Sequence, residues 1–294
     1  MNILKKNPLF IICMCLLCFN AFSQIKLKYN SEKIDTGYMY AYHYSINPNN
    51  FVPEDTVRYL YIIAGNTVET LSVSLSDTKQ SVSFLKGIMD WQYFTLLYRE
   101  TKNFVSSDYS MAPGEIRTVK SVVSRNFKKS VEQYEIFNSY SDRPATISDP
   151  VRSVGKRDIE GNSIPEYSMN GGIPVDFWLA SRFFDQNKNS VINVERSGYS
   201  LQAKVKPDNI ETVKYNGHTF RCKKYEIAPK GIIGMLFGKK GYIWVDADSK
   251  YRYLVKIRNE NNPLHELILA ERRPMSRNEW ESFKNNIIEK VRGE

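Results

Sequence analysis

The stretch that most restricts what this chain can fold into is residues 241–258, GYIWVDADSKYRYLVKIR. Two β-rich runs flank a polar turn, Asp246 to Lys250, and the second run alternates. Tyr251, Tyr253, Val255 and Ile257 share one face, while Arg252, Lys256 and Arg258 share the other, with Leu254 as the exception. A period of two separates residues this way only on a strand. The stretch therefore predicts an antiparallel hairpin with one buried side and one wet side, on which the three basic residues face water. Asp246 and Asp248 could be imagined as a carboxylate pair for acid–base work, but aspartates at such a turn read first as turn formers.

The same grammar recurs along the chain. IDTGYMYAYHYSI, residues 34–46, sets Tyr38, Tyr40, Tyr42 and Tyr44 on one strand face and Met39, Ala41 and His43 on the other. Core packing explains a tyrosine stripe, and so does the wall of an apolar cavity. His43, on the small-residue face with no second ligand nearby in sequence, reads as structural. Residues 56–64 and 68–75 flank Gly65-Asn66, and further β-like runs follow at 82–86, 91–99, 116–124 and 131–137. After the middle of the chain, strands resume at 191–196, 199–206, 209–214 and 219–228, with Asn216-Gly217 as a type I′ turn signal, and 267–271 adds another. Hairpin upon hairpin implies antiparallel sheet; neither βαβ alternation nor a glycine-rich phosphate loop is present.

Residues 138–174 are rich in Pro, Gly and Asp and read as one long excursion, the best point for subdividing the chain. Residues 175–185 follow as a short helix carrying Phe177, Trp178, Ser181 and Phe184 at helical spacing, aromatics that must be buried against the sheet. At the C-terminus, Ser276 and Glu279 form a capping box ahead of a helix striped by Trp280, Phe283, Ile287 and Val291. That stripe predicts packing across the sheet; Arg277, Lys284, Lys290 and Arg292, mixed with acids, leave a weaker case for an envelope protein partner or a membrane surface.

The first residues, MNILKKNPLFIICMCLLCFNAFSQ, show a basic start, an apolar run too short to span a bilayer comfortably, and a small residue, Ser23, before Gln24. This predicts a secretory signal over 1–23, one domain over 24–272 and the C-terminal helix over 273–294. An exported, periplasmic or outer-membrane-associated location follows. Lipidation at Cys18 is the minor alternative, because Leu17 is larger than the residue that usually precedes an acylated cysteine. With the signal removed, two lysines leave and the formal charge of +9 falls to +7, which permits contact with anionic lipid or polysaccharide. Of four cysteines only Cys222 then remains, so no internal disulfide can form, and its strand setting favours a buried thiol.

At residues 211–227, ETVKYNGHTFRCKKYEI, the chain resembles the bacterial exported family DUF3108, through Glu211, Gly217, Phe220, Cys222 and Tyr225. Trp244, Asp246, Asp248, Arg252, Val255 and Ile257 extend the resemblance, which covers about residues 174–271. It implies an architecture similar to the periplasmic lipoprotein carriers: a strongly curved, incompletely closed antiparallel sheet wrapped around a helix and sheltering acyl chains. It brings no catalytic residues with it.

The expected fold is thus mainly β, an antiparallel half-barrel with an aromatic helix and a C-terminal helix. No catalytic set is legible: His265-Glu266 begins no HExxH, and no serine lies in G-x-S-x-G. Asp185, Asn187 and Asn189 match the start of a calcium loop, but Ser190 replaces its glycine and Arg196 its final carboxylate, so no metal is expected. No cofactor is implied. Basic pairs such as Lys223-Lys224 and Lys239-Lys240 do not interleave with aromatics in any nucleic-acid module, and no nucleic acid is expected as partner. The expected function is non-enzymatic binding of an apolar or amphipathic, lipid-like ligand by Tyr38, Tyr40, Tyr42, Tyr44, Phe177, Trp178, Phe184 and Trp244. The alternatives are an assembly module that binds an envelope protein, and an envelope glycan or lipid hydrolase.

Overall fold

A computed structural model describes residues 27–45, 53–64, 66–76, 79–91, 95–104, 115–125, 130–140, 152–159, 163–165, 175–196, 199–230, 240–260 and 262–292. The predicted signal segment and the Cys18 question lie outside these residues. The fold is mainly β. Strands β1 (Tyr38–Ser45), β2 (Pro53–Ala64), β3 (Thr67–Ser76), β4 (Lys79–Asp90), β5 (Thr95–Phe104), β6 (Glu115–Arg125), β7 (Ser130–Tyr140) and β8 (Arg152–Ile159) make a meander. A second run comprises β9 (Ser163–Pro165), β10 (Ser190–Arg196), β11 (Tyr199–Tyr215), β12 (His218–Pro229), β13 (Gly241–Asp246), β14 (Leu254–Asn259) and β15 (Asn262–Pro274). Pairing of β1 with β15 joins the two runs into one sheet, ordered β8-β7-β6-β5-β4-β3-β2-β1-β15-β14-β13-β12-β11-β10-β9. Every pair is antiparallel except the short β9–β10 contact.

The sheet is curved and open, with β8 and β9 as its edges among the described residues. Ile159 and Ser163 lie four residues apart in the chain, yet they belong to opposite edges. Four extended residues reach only about 14 Å, so covalent connection alone forces the edges to approach at that corner. The excursion expected over 138–174 therefore contains two strands, β8 and β9, and the end of β7. Its turn-forming composition conceals them because β8, RSVGKRDI, is polar and carries a glycine.

Alternation in β1 defines the two faces. Tyr44 lies in one cross-strand row with Leu267, Ile257, Ile243 and Tyr225, all buried, and Tyr40 and Tyr42 point to the same side. Over this tyrosine face lies helix α1 (Val175–Ala180), continued by a 3₁₀ turn over Ser181–Phe183. On the opposite face helix α2 (Arg277–Arg292) packs against β3, β4 and β5. Its Trp280 is fully buried and stacks on Tyr61 at 5.0 Å. The capping box is formed: the Ser276 backbone N–H donates to Glu279 at 2.6 Å, and the Glu279 N–H donates to the Ser276 hydroxyl at 3.3 Å.

The opening hairpin departs from expectation in its second arm. Strand β14 starts at Leu254, because Arg252 adopts φ +49 and turns the chain at that point. Leu254, the exception to the alternation, is the first strand residue and is buried beside a register shift at Trp244/Val245. Arg252, expected on a solvated face, is instead buried.

Candidate functional site

The tyrosine face is filled. Trp178, Leu179, Ala180, Phe183 and Phe184 are all buried against it. The Trp178 ring meets Tyr42 edge-on at 4.4 Å between centroids, and Phe184 meets Tyr225 at 5.6 Å. The chain forms a helix of only six residues here, and every described residue from Trp178 to Phe184 is buried. Phe177 lies in α1, but its side chain is outside the described residues.

Polar groups fix this segment at both ends. At one end Arg182 reaches the Asp35 carboxylate at 2.6 Å and donates to the Lys33 carbonyl at 3.1 Å. The other carboxylate oxygen of Asp35 accepts from Arg272 at 2.8 Å and from the Tyr40 hydroxyl. Burial alone would raise the Asp35 carboxyl, but Arg182 and the hydrogen bonds from Tyr40, Arg272 and Arg182 hold it below the usual carboxylate range. Burial pushes the Tyr40 phenol up to about 12, so it stays protonated and donates. At the other end Arg252 donates to the Phe184 carbonyl at 2.8 Å and to the Tyr225 hydroxyl. These contacts explain how a non-glycine residue is held in the left-handed region.

Tyr38 sits at the rim of the same face. The Arg272 guanidinium lies 3.9 Å from its ring centre and 5.1 to 5.6 Å from the rings of Tyr40, Tyr251 and Tyr253, so the cage made by these tyrosines is occupied by the chain's own cation.

Trp244 is not with the others. It lies in the row His43–Ile268–Lys256–Trp244–Lys224 on the opposite face. There Lys224 and Lys256 stand 5.4 and 5.2 Å from its ring, and its indole N–H donates to Glu211 at 2.8 Å. Of the eight residues expected to bind ligand, the structure gathers Tyr38, Tyr40, Tyr42, Tyr44, Trp178 and Phe184 on one covered face and separates Trp244.

Open space occurs elsewhere. The tip of the long β11–β12 hairpin hangs over β1, and between them lies a cavity of about 610 Å³ lined by His43, Lys214, Tyr215, Asn216, Gly217, His218 and Thr219. Asn216 (φ 51) and Gly217 (φ 79) form the expected tight turn. The Tyr215 hydroxyl and His43 Nδ1 are 3.0 Å apart, with their rings near perpendicular. Burial pushes the His43 imidazole below its ordinary value. On the same face as Tyr215, deeper along the strands, lie Val213, Phe220 and Cys222. His43, read from sequence as structural, thus faces a cavity, and His218, remote in sequence, shares it. No local pattern could reveal this, since the contact spans 172 positions.

Asp185, which begins the incomplete calcium loop, accepts from the backbone N–H groups of Asn187 and Lys188 at 2.8 Å, an ordinary polar turn. Asp246 behaves likewise toward Asp248 and Ser249, at 2.8 and 2.6 Å. His265 lies in β15 with its side chain outside the described residues. Comparison with protein families, with curated proteins and with solved structures gives no match.

Proposed function

We propose that the chain is an exported, envelope-facing binding protein without covalent chemistry, and that a small amphipathic ligand sits in the cavity between β1 and the β11–β12 turn. One observation carries this reading. The cavity has the size of a small-molecule site, and its lining includes two histidines, a tyrosine and a lysine. The resemblance to envelope carriers supports the same class of function. The tyrosine face, occupied by α1 and its buried ion pair, serves as the rigid support behind the hairpin.

Native mass spectrometry of protein purified from its own envelope tests the reading. Recovery of a bound small molecule from the wild type, and its loss when His218→Trp fills the cavity from the face shared with Tyr215, is the expected result. Repeated recovery without ligand would reject it.

A second reading, an assembly module, is favoured by the filled tyrosine face and by the polar outer face of α2, where Asn278, Ser282, Asn285 and Asn286 are exposed. Cross-linking that captures one envelope protein through these asparagines, and fails when they are replaced by lysine, would favour it over the cavity.

A further inference from the structure

We infer that the outer edge of β11, from Ile210 to Lys214, docks an extended, acidic segment of a partner protein, which adds a strand beside it. This holds whatever the cavity binds. Strand β11 has 17 residues, but β10 covers its outer side only from Tyr199 to Val205. Past the register shift at Pro207/Ile210 it keeps β12 on one side and, among the described residues, no strand on the other. The Tyr215–His218 pair closes the two-residue Asn216-Gly217 turn as a hydrogen-bonded pair, and bonded pairs alternate with unbonded ones back along the hairpin. The backbone N–H and C=O groups of Lys214, Thr212 and Ile210 therefore point away from β12, into the open edge.

The side chains of the same three residues share the face turned away from Tyr215, and all three are exposed. Ile210 is 48% exposed, the more exposed of the two large hydrophobic side chains open to water among the described residues. An unpaired edge that carries such a residue is a template for strand addition. The cross-strand rows set the partner's chemistry: Lys223 lies behind Ile210, Arg221 behind Thr212, and Thr219 behind Lys214. An incoming acid opposite Lys214 gains a direct cross-strand pair, and an apolar β-branched residue opposite Ile210 covers it. A second copy of this edge would instead bring Lys214, Arg221 and Lys223 of both chains onto one face of the joined sheet, so like charge disfavours it. On the other face Glu211 is already engaged by Lys224 and the Trp244 indole, so the partner needs no cation there.

An amide NMR titration of the full exported chain tests this with the end-blocked peptide TESTSVT, whose glutamate meets Lys214 and whose valine meets Ile210 in antiparallel register. Shifts are expected to centre on the amides of Ile210, Thr212 and Lys214. The peptide should bind about fivefold tighter than its counterpart with lysine in place of glutamate, and Lys214→Glu, at an exposed position, should reverse that preference without altering the fold. Methylating the backbone nitrogens of the glutamate, the central threonine and the valine should abolish binding, because those N–H groups make the new ladder. Equal binding of the glutamate and lysine peptides would overturn the acidic partner, and undiminished binding of the methylated peptide would overturn edge pairing. Absence of shifts up to roughly millimolar peptide would overturn the inference. A doubled mass in sedimentation without peptide, lost in Thr212→Pro, would make the occupant a second copy and overturn it equally.

Discussion

The Arg182 guanidinium and the Asp35 carboxylate meet at 2.6 Å with both side chains almost wholly withdrawn from water, and this pair ties the plug over the tyrosine face to the segment that leads into β1. An ion pair removed from water is a poor source of net stability, but breaking it leaves an uncompensated charge. Asp35→Asn strands two arginines and is expected to cost about 3–5 kcal/mol in denaturant unfolding. Arg182→Met should cost less, because Arg272 still neutralises Asp35 and the Tyr40 hydroxyl still donates to it. A double-mutant cycle with no coupling between the two positions would contradict this assignment.

The C-terminal helix is expected to be part of the core. Glu69, buried on β3, accepts from the Trp280 indole at 2.6 Å and pairs with Arg277 and Lys284. Trp280→Ala should destabilise by about 3–5 kcal/mol, and Ser276→Ala by about 1 kcal/mol through the lost cap. Deleting residues 274–294 uncovers Tyr61, Val73 and Val82 and orphans Glu69, so circular dichroism should show loss of the folded sheet. A truncated chain that stays folded would free the helix for partner binding.

Cys222 is expected to be chemically silent. It is fully buried, and burial, with Asp246, Asp248 and Glu211 nearby, pushes its thiol up to about 12. Alkylation by iodoacetamide at neutral pH should proceed only in denaturant; rapid native labelling would show that the interior behind the cavity opens.

Acid should weaken the fold in two stages. His43 is held below its ordinary value of 6.5, so the unfolded chain binds its proton first, and stability falls as pH drops below about 6.5. Val57 and Ile268, its neighbours on β2 and β15, do not titrate, and the groups on the hairpin face turned toward it are Tyr215 and His218. Asp35, held below its ordinary 3.8, contributes stability that is lost as pH falls further, through its folded value. His43→Gln should flatten the upper stage of a pH-dependent unfolding curve and leave the lower one. An unchanged upper stage would assign it to another group.

Local rules were legible wherever local chemistry decides. The tyrosine stripe, the Asn216-Gly217 turn, the Asp246 turn and the Ser276 capping box all follow from residues within a few positions of one another. What could not be read is which strand faces coincide. Alternation places Trp244 relative to its own strand, but its side relative to Tyr42 depends on pairings through β14 and β15 and on bulges at Ala41/Tyr42 and Trp244/Val245. Arg252 escaped for a related reason. In a period-two pattern an arginine reads as solvent-facing, and nothing nearby announces the Phe184 carbonyl and the Tyr225 hydroxyl that hold it inside. The cavity was hidden most completely, because its two walls meet only after the sheet has curved.

The pairing of Tyr38 with Pro274 sets an order of events for synthesis. Strand β1 can pair with β2 at once, but its other neighbour, β15, emerges after every other described strand, so the first meander waits with a bare central edge. High sequence separation of this kind slows folding and leaves strands open to wrong partners. The β1 edge is thereby kept from its final pairing until β15 has been made, however early the rest of the first meander forms.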